Sequence, residues 1–125
     1  MDEEARQPLQ GKKLLVAEDE AVIALDYAGM LSSAGAQIGT ARSAAEVIDY
    51  VSRYRVDAVV LDFVLADGNS SALQMVLAER RIPFVVVSGY PAVLVRESQD
   101  QHVLHKPITA DHLCAAVLAV CDGKS

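Results

Sequence analysis

Residues 56–62 read Val56-Asp57-Ala58-Val59-Val60-Leu61-Asp62, an almost unbroken apolar run that stops at an acid. A strand with one solvated face alternates apolar and polar residues, whereas a parallel strand covered by helices on both faces is apolar nearly throughout. The run therefore predicts a buried parallel strand with Asp62 at its carboxyl end. Elsewhere the chain repeats the theme. Lys13–Ala17 (KLLVA) stops at Glu18-Asp19-Glu20, and Pro83–Val87 (PFVVV) stops at Ser88-Gly89-Tyr90-Pro91. Gln37–Ala41 and His102–His105 are shorter strand candidates, and the latter runs into Lys106-Pro107.

Helical signals fill the intervals. Val22, Leu25, Met30 and Leu31 recur at roughly helical spacing before Gly35, a stop residue. Ser43 has Glu46 three residues on, a capping-box spacing, ahead of Val47, Ile48 and Val51. A third helix is expected through Leu73, Met75, Val76 and Leu77, after a loop containing Asp67-Gly68-Asn69. A weaker one is expected over Ala92–Glu97. Thr109 caps the last, whose apolar positions are Leu113, Val117, Leu118 and Val120. Five strands alternating with five helices imply βαβ units and right-handed crossovers. The expected fold is α/β: a flavodoxin-like, doubly wound, five-stranded parallel sheet of order 2-1-3-4-5 with five helices. Residues 1–11 are expected to be a frayed polar tail, 12–121 the domain, and 122–125 a C-terminal tail.

Length and composition agree with one globular domain: 125 residues, 52% hydrophobic and 22% charged. A net charge of −6 has the wrong sign for gripping nucleic acid or an anionic membrane surface. No apolar run approaches the roughly 20 residues of a membrane span. The first ten residues, MDEEARQPLQ, do not form a signal peptide. A cytoplasmic protein is expected. Cys114 and Cys121, seven residues apart on one helix, would be separated by about 10.5 Å along its axis. That is too far for a disulfide, so both are expected as buried, reduced thiols. His102 and His105 sit three apart on a strand and point to opposite faces, which argues against a histidine metal site.

Open α/β sheets bind ligands outside the carboxyl ends of their strands. There this sequence gathers Glu18 and Asp19 from the first strand, Asp62 from the third, Ser88 from the fourth and Lys106 from the fifth. Clustered carboxylates repel unless a cation neutralises them, and oxygen ligands favour a hard ion such as Mg²⁺. A lysine and a hydroxyl beside that ion suit phosphoryl oxygens, and a carboxylate is a competent nucleophile at phosphorus.

These residues in this order resemble a response-regulator receiver domain over Lys12 to about Cys121. The motifs that carry the resemblance are Glu18-Asp19, Asp62 after VVL, Asp67-Gly68, Ser88-Gly89 after VVV, and Lys106-Pro107. The resemblance implies that Asp62 is the phosphoacceptor. Asp19, Asp62 and the backbone carbonyl of Val64 would ligate Mg²⁺, with Glu18 acting mainly through metal-bound water. It also implies a switch role for Ser88, a phosphoryl contact for Lys106 and a cis Lys106-Pro107 bond. Two departures stand out. Val103 occupies the place where receivers usually carry Tyr or Phe, and Ala66 stands where Pro is common. The fourth strand instead resembles a subclass of stand-alone receivers with a Pro-Phe…Thr-Gly-Tyr signature, here Pro83-Phe84…Ser88-Gly89-Tyr90. Tyr90 is accordingly expected to share the switching with Ser88.

The implied function is a two-component signalling module that takes a phosphoryl group from a histidine kinase or histidine phosphotransfer protein. It would signal through a downstream protein partner, bind neither nucleic acid nor membrane, and catalyse only chemistry on its own Asp62. One competitor is a small Mg²⁺-dependent aspartyl-phosphate phosphohydrolase, disfavoured because Val64 stands where a general acid is needed. Another, a flavodoxin-like cofactor binder, lacks a phosphate loop after the first strand. Alternatively, the chain is a receiver cut from a larger hybrid protein.

Overall fold

The computed structural model describes residues 7–88 and 102–122. Its elements are β1 (Lys13–Ala17), α1 (Ala21–Ser33), β2 (Gln37–Ala41), α2 (Ala44–Arg53) and β3 (Ala58–Asp62). A short hairpin, β4 (Val64–Leu65) and β5 (Gly68–Asn69), precedes α3 (Ser71–Glu79), β6 (Phe84–Ser88), β7 (His102–His105) and α4 (Ala110–Asp122). The main sheet has the order β2-β1-β3-β6-β7 and every pairing in it is parallel. With the hairpin set aside, this is the expected 2-1-3-4-5. Four helices lie among the described residues, one fewer than the five expected, and the candidate over Ala92–Glu97 falls outside them.

β3 is the middle strand, and all five of its residues are buried. Its side chains alternate between two cores, as the period of two demands. Ala58 and Val60, with Leu14, Val16, Val85 and Val87 of the flanking strands, pack under α1 and α4 against Tyr27, Leu31, Leu113 and Val117. Val59 and Leu61, with Leu15 and Ala17, pack under α2 and α3 against Val47, Leu73 and Leu77. Helices on both faces explain why the strand carries no polar residue until Asp62.

The caps expected from spacing are present. Ser43 Oγ accepts from Glu46 N at 3.1 Å, and Thr109 Oγ1 from His112 N at 3.1 Å. Glu46 Oε1 reaches back one residue further than a standard capping box, to Arg42 N at 2.7 Å.

Several expectations change. On α1 the inward stripe is Ala24, Tyr27 and Leu31, at spacings of three and four. Val22 and Leu25 lie off that stripe and are 74% and 72% exposed. Met75 of α3 is likewise exposed, while Gln74 beside it is buried. The end of the N-terminal segment is not frayed. Leu9 is completely buried, its N–H donates to Ala34 O at 2.9 Å, and its carbonyl accepts from Lys12 N at 3.0 Å. Gly35 makes room for this segment: its φ is +106°, and a Cβ there would sit 2.9 Å from the Gln10 backbone. Cys114 and Cys121 are unpaired as disulfides but only half-buried. Their thiols point to Met30 O and Asp57 O, and burial pushes both above the usual thiol range. No helix among the described residues is long and apolar enough to cross a membrane.

Candidate functional site

Strand register assembles the acidic cluster. Ala17 of β1 lies beside Leu61 of β3, so the residues that follow, Glu18 and Asp62, come side by side at the sheet's edge. Glu18 N continues the ladder by donating to Ala41 O at 3.0 Å, and Phe63 N does the same toward Val87 O at 2.9 Å. Glu18, Asp19 and Asp62 each offer a carboxylate oxygen within 4.8 Å of the others. Glu18 is 2% exposed and Asp62 8%, while Asp19 is half-buried.

Lys106, at the end of β7, brings the cation. Its Nζ lies 3.6 Å from Asp62 Oδ2 and 4.0 Å from Glu18 Oε1. Its own N–H donates to Ser88 O at 2.9 Å, so the last two strand ends are locked together. Ser88 is fully buried at the end of β6, and the Lys106-Pro107 bond is cis.

One ammonium does not balance three carboxylates. Glu18 Oε2 accepts from Glu20 N at 3.1 Å, but Glu18 Oε1 is buried with no hydrogen-bond donor among the described residues. Burial first, and the neighbouring Asp62 carboxyl second, push Glu18 from its ordinary 4.5 up to about 7. Tyr27, beneath the cluster on α1, is pushed up to about 12 by burial and then by the charges of Glu18, Asp62 and Asp26. An orphaned buried carboxylate oxygen in an all-oxygen donor set is the environment a hard divalent cation satisfies. Ligand oxygens on opposite sides of Mg²⁺ lie about 4 Å apart, so a cluster already within 4.8 Å needs little movement to close on one.

Of the residues singled out by sequence, Glu18, Asp19, Asp62 and Lys106 converge, with Ser88 on the adjoining strand end. Val64 opens the hairpin two residues after Asp62, its side chain partly exposed. Tyr90 lies outside the described residues. Sequence reading missed Arg42, whose guanidinium donates to Asp19 O at 3.4 Å. It also gave Asp67 no role beyond its motif. Asp67 accepts from Ala44 N and Ala45 N at the start of α2, and these hydrogen bonds hold its carboxyl below the usual range. No local pattern signals such contacts across more than twenty residues.

Residues 14–118 match the family described as the response regulator receiver domain. A curated relative, the transcriptional regulatory protein PdtaR of Mycobacterium tuberculosis, is 32% identical over 114 residues. That alignment covers 85% of this chain, and the chain spans about half the length of the relative, 55%. Among solved structures, a response regulator receiver protein from Sinorhizobium medicae superposes with a TM-score of 0.82 at 27% identity, covering 94% of this chain and 99% of that one. SdrG from Sphingomonas melonis gives 0.74 at 32% identity, covering 87% and 95%. The sheet order, the acids paired at its carboxyl edge, the lysine facing them and the family match over most of the length agree: this chain belongs to the response-regulator receiver family of two-component signalling.

Proposed function

We propose that Asp62 accepts a phosphoryl group from a phosphohistidine on a histidine kinase or phosphotransfer protein, with Mg²⁺ held by Asp19, Asp62 and the Val64 carbonyl. The observation that carries this reading is the buried Glu18–Asp62 pair with Lys106 3.6 Å from the Asp62 carboxylate. A carboxylate oxygen of Asp62 attacks phosphorus in line. The new P–O bond forms as the P–N bond breaks, and its electron pair returns to the imidazole nitrogen. When bound, Mg²⁺ would neutralise charge on the equatorial phosphoryl oxygens. Lys106 pairs with one of those oxygens, exchanging part of its contact with Asp62 for the phosphoryl group. Ser88 then supplies a hydroxyl to another, and Tyr90 follows as the second half of the switch.

Covalent chemistry in this reading is confined to the chain's own Asp62, and the output is a changed surface read by a protein partner in the cytoplasm. The exposed Val22 and Leu25 support a helical donor as the phosphoryl source. They sit three residues apart on α1, which begins two residues after Asp19, and so share one side of that helix. The test is incubation with Mg²⁺ and a small acyl phosphate. One acid-stable, base-labile phosphate should appear on the wild type and none on Asp62→Asn. Turnover of many phosphomonoesters instead would favour the phosphohydrolase reading.

A further inference from the structure

The two loops that carry the acidic cluster share a third neighbour, the segment 42–45 that leads into α2. The β4–β5 hairpin reaches it at three points. Asp67 Oδ1 accepts from Ala44 N at 2.9 Å, Asp67 Oδ2 accepts from Ala45 N at 3.3 Å, and Ala66 N donates to Arg42 O at 3.2 Å. Arg42 also reaches in the other direction, donating its guanidinium to Asp19 O at 3.4 Å. Its own N–H is held by Glu46 Oε1 at 2.7 Å. The base of the hairpin is fixed by Ser70 N to Phe63 O at 2.7 Å, and Ser70 Oγ accepts from the buried Gln74 Nε2 at 3.2 Å.

Capping alone does not call for this arrangement. Ser43 already caps α2 from within its own segment. Asp67 is drawn from the far side of β3, 23 residues beyond Ala44, and places its charge at the positive end of the helix. What the long-range cap adds is position. The segment 42–45, at the entry to α2, becomes tied both to the loop bearing Asp62 and Val64 and to the loop bearing Asp19.

We infer that Asp67 is a positioning residue for the metal pocket: acting through the first turn of α2 and Arg42, it sets the spacing between the Asp19 loop and the Asp62–Val64 loop. The inference rests on the Mg²⁺ reading given above. Mg²⁺ demands near-ideal octahedral geometry, so a slip between the two loops is felt directly in affinity. Groups hydrogen-bonded directly to metal ligands typically alter affinity about 10- to 100-fold when removed. Asp67 acts at a further remove, so its effect belongs at the low end of that range.

Calorimetric titration of Mg²⁺ into the wild type, Asp67→Ala, Asp67→Asn, Arg42→Ala and Ser43→Ala tests it. Asp67→Ala should raise the Kd about 10-fold, and Asp67→Asn, which keeps one accepting oxygen, should raise it less. Arg42→Ala should weaken binding as well, and the double variant should lose less than the product of the two single losses. Ser43→Ala strips a cap from the same helix end without touching either loop, so it should lower Tm and leave the Kd within about twofold. Amide NMR signals of Ala44 and Ala45 should shift on adding Mg²⁺ to the wild type but not to Asp67→Ala. An unchanged Kd in Asp67→Ala, or an equal loss in Ser43→Ala, would overturn the inference while leaving the Mg²⁺ reading intact. Failure of the wild type to bind Mg²⁺ would remove both.

Discussion

In the metal-free protein, Glu18→Gln should stabilise the fold at pH 8 and leave it nearly unchanged at pH 4. Glu18 is 2% exposed and faces Asp62 from β3, Asp19 from its own loop and Lys106 from the end of β7. Its carboxyl is raised from 4.5 to about 7, by burial above all. Between those two values the folded chain keeps a proton that the unfolded chain has released, so stability falls as pH rises. The contribution is complete below about pH 4.5 and lost by the time pH passes 7. At about 1.4 kcal/mol per pH unit, a rise of that size amounts to about 3 kcal/mol, an upper bound because the neighbouring acid shares the titration. Glutamine keeps the shape and drops the charge, so its advantage should approach about 3 kcal/mol at pH 8 and vanish near pH 4. Urea unfolding in the presence of a chelator measures both, through midpoints at a common m-value. Mg²⁺ should then recover the wild type at pH 8 more than the variant, because a ligand stabilises the state that binds it. A difference between the two proteins that is the same at pH 4 and pH 8 would refute the reasoning.

Leu9→Ala should cost about 2–5 kcal/mol in urea unfolding, as for other fully buried leucines, and a loss no larger than surface substitutions give would return residues 7–11 to the status of a loose tail. Gly35→Ala combines a positive φ with a clash against the Gln10 backbone, so it should lose more than the ~1 kcal/mol of an ordinary helix-end glycine substitution, measured by thermal unfolding. Leu25→Glu should slow phosphotransfer from a phosphohistidine donor about 10-fold or more while leaving phosphorylation by a small acyl phosphate unchanged; equal loss from both sources would mean that Leu25 acts on the pocket itself.

Much of this architecture is legible in the sequence because two strong physical signals coincide. Apolar runs such as Ala58–Leu61 are long enough to mark doubly covered strands, and each is cut off by a polar residue at the functional edge. Register then does the rest, since Glu18 and Asp62 meet because the strands before them pair. What the sequence hid has equally specific causes. On α1, Val22 and Leu25 are as apolar as core residues, and only the packed structure reveals that Ala24 and Tyr27 face inward instead. Leu9 sits among polar neighbours and has no periodic context, so nothing local announces its place in the core under α1 and α4. The hairpin 64–69 is too short to declare itself, and Asp67 caps a helix that precedes it in the chain. Tertiary contacts of that kind leave no local trace.

The alternation of β3 between two cores has a consequence for how the acid at its end is placed. Val60 and Leu61 feed opposite sides of the sheet, so the direction in which Asp62 points is a matter of parity. Adding or deleting one residue within the strand would exchange the two cores' contents and turn the carboxylate away from Lys106. A two-residue change would keep the parity yet carry the acid past its neighbours by about 7 Å. The count of residues in β3 is thus as tightly constrained as their chemistry, and length drift in this chain belongs in its loops.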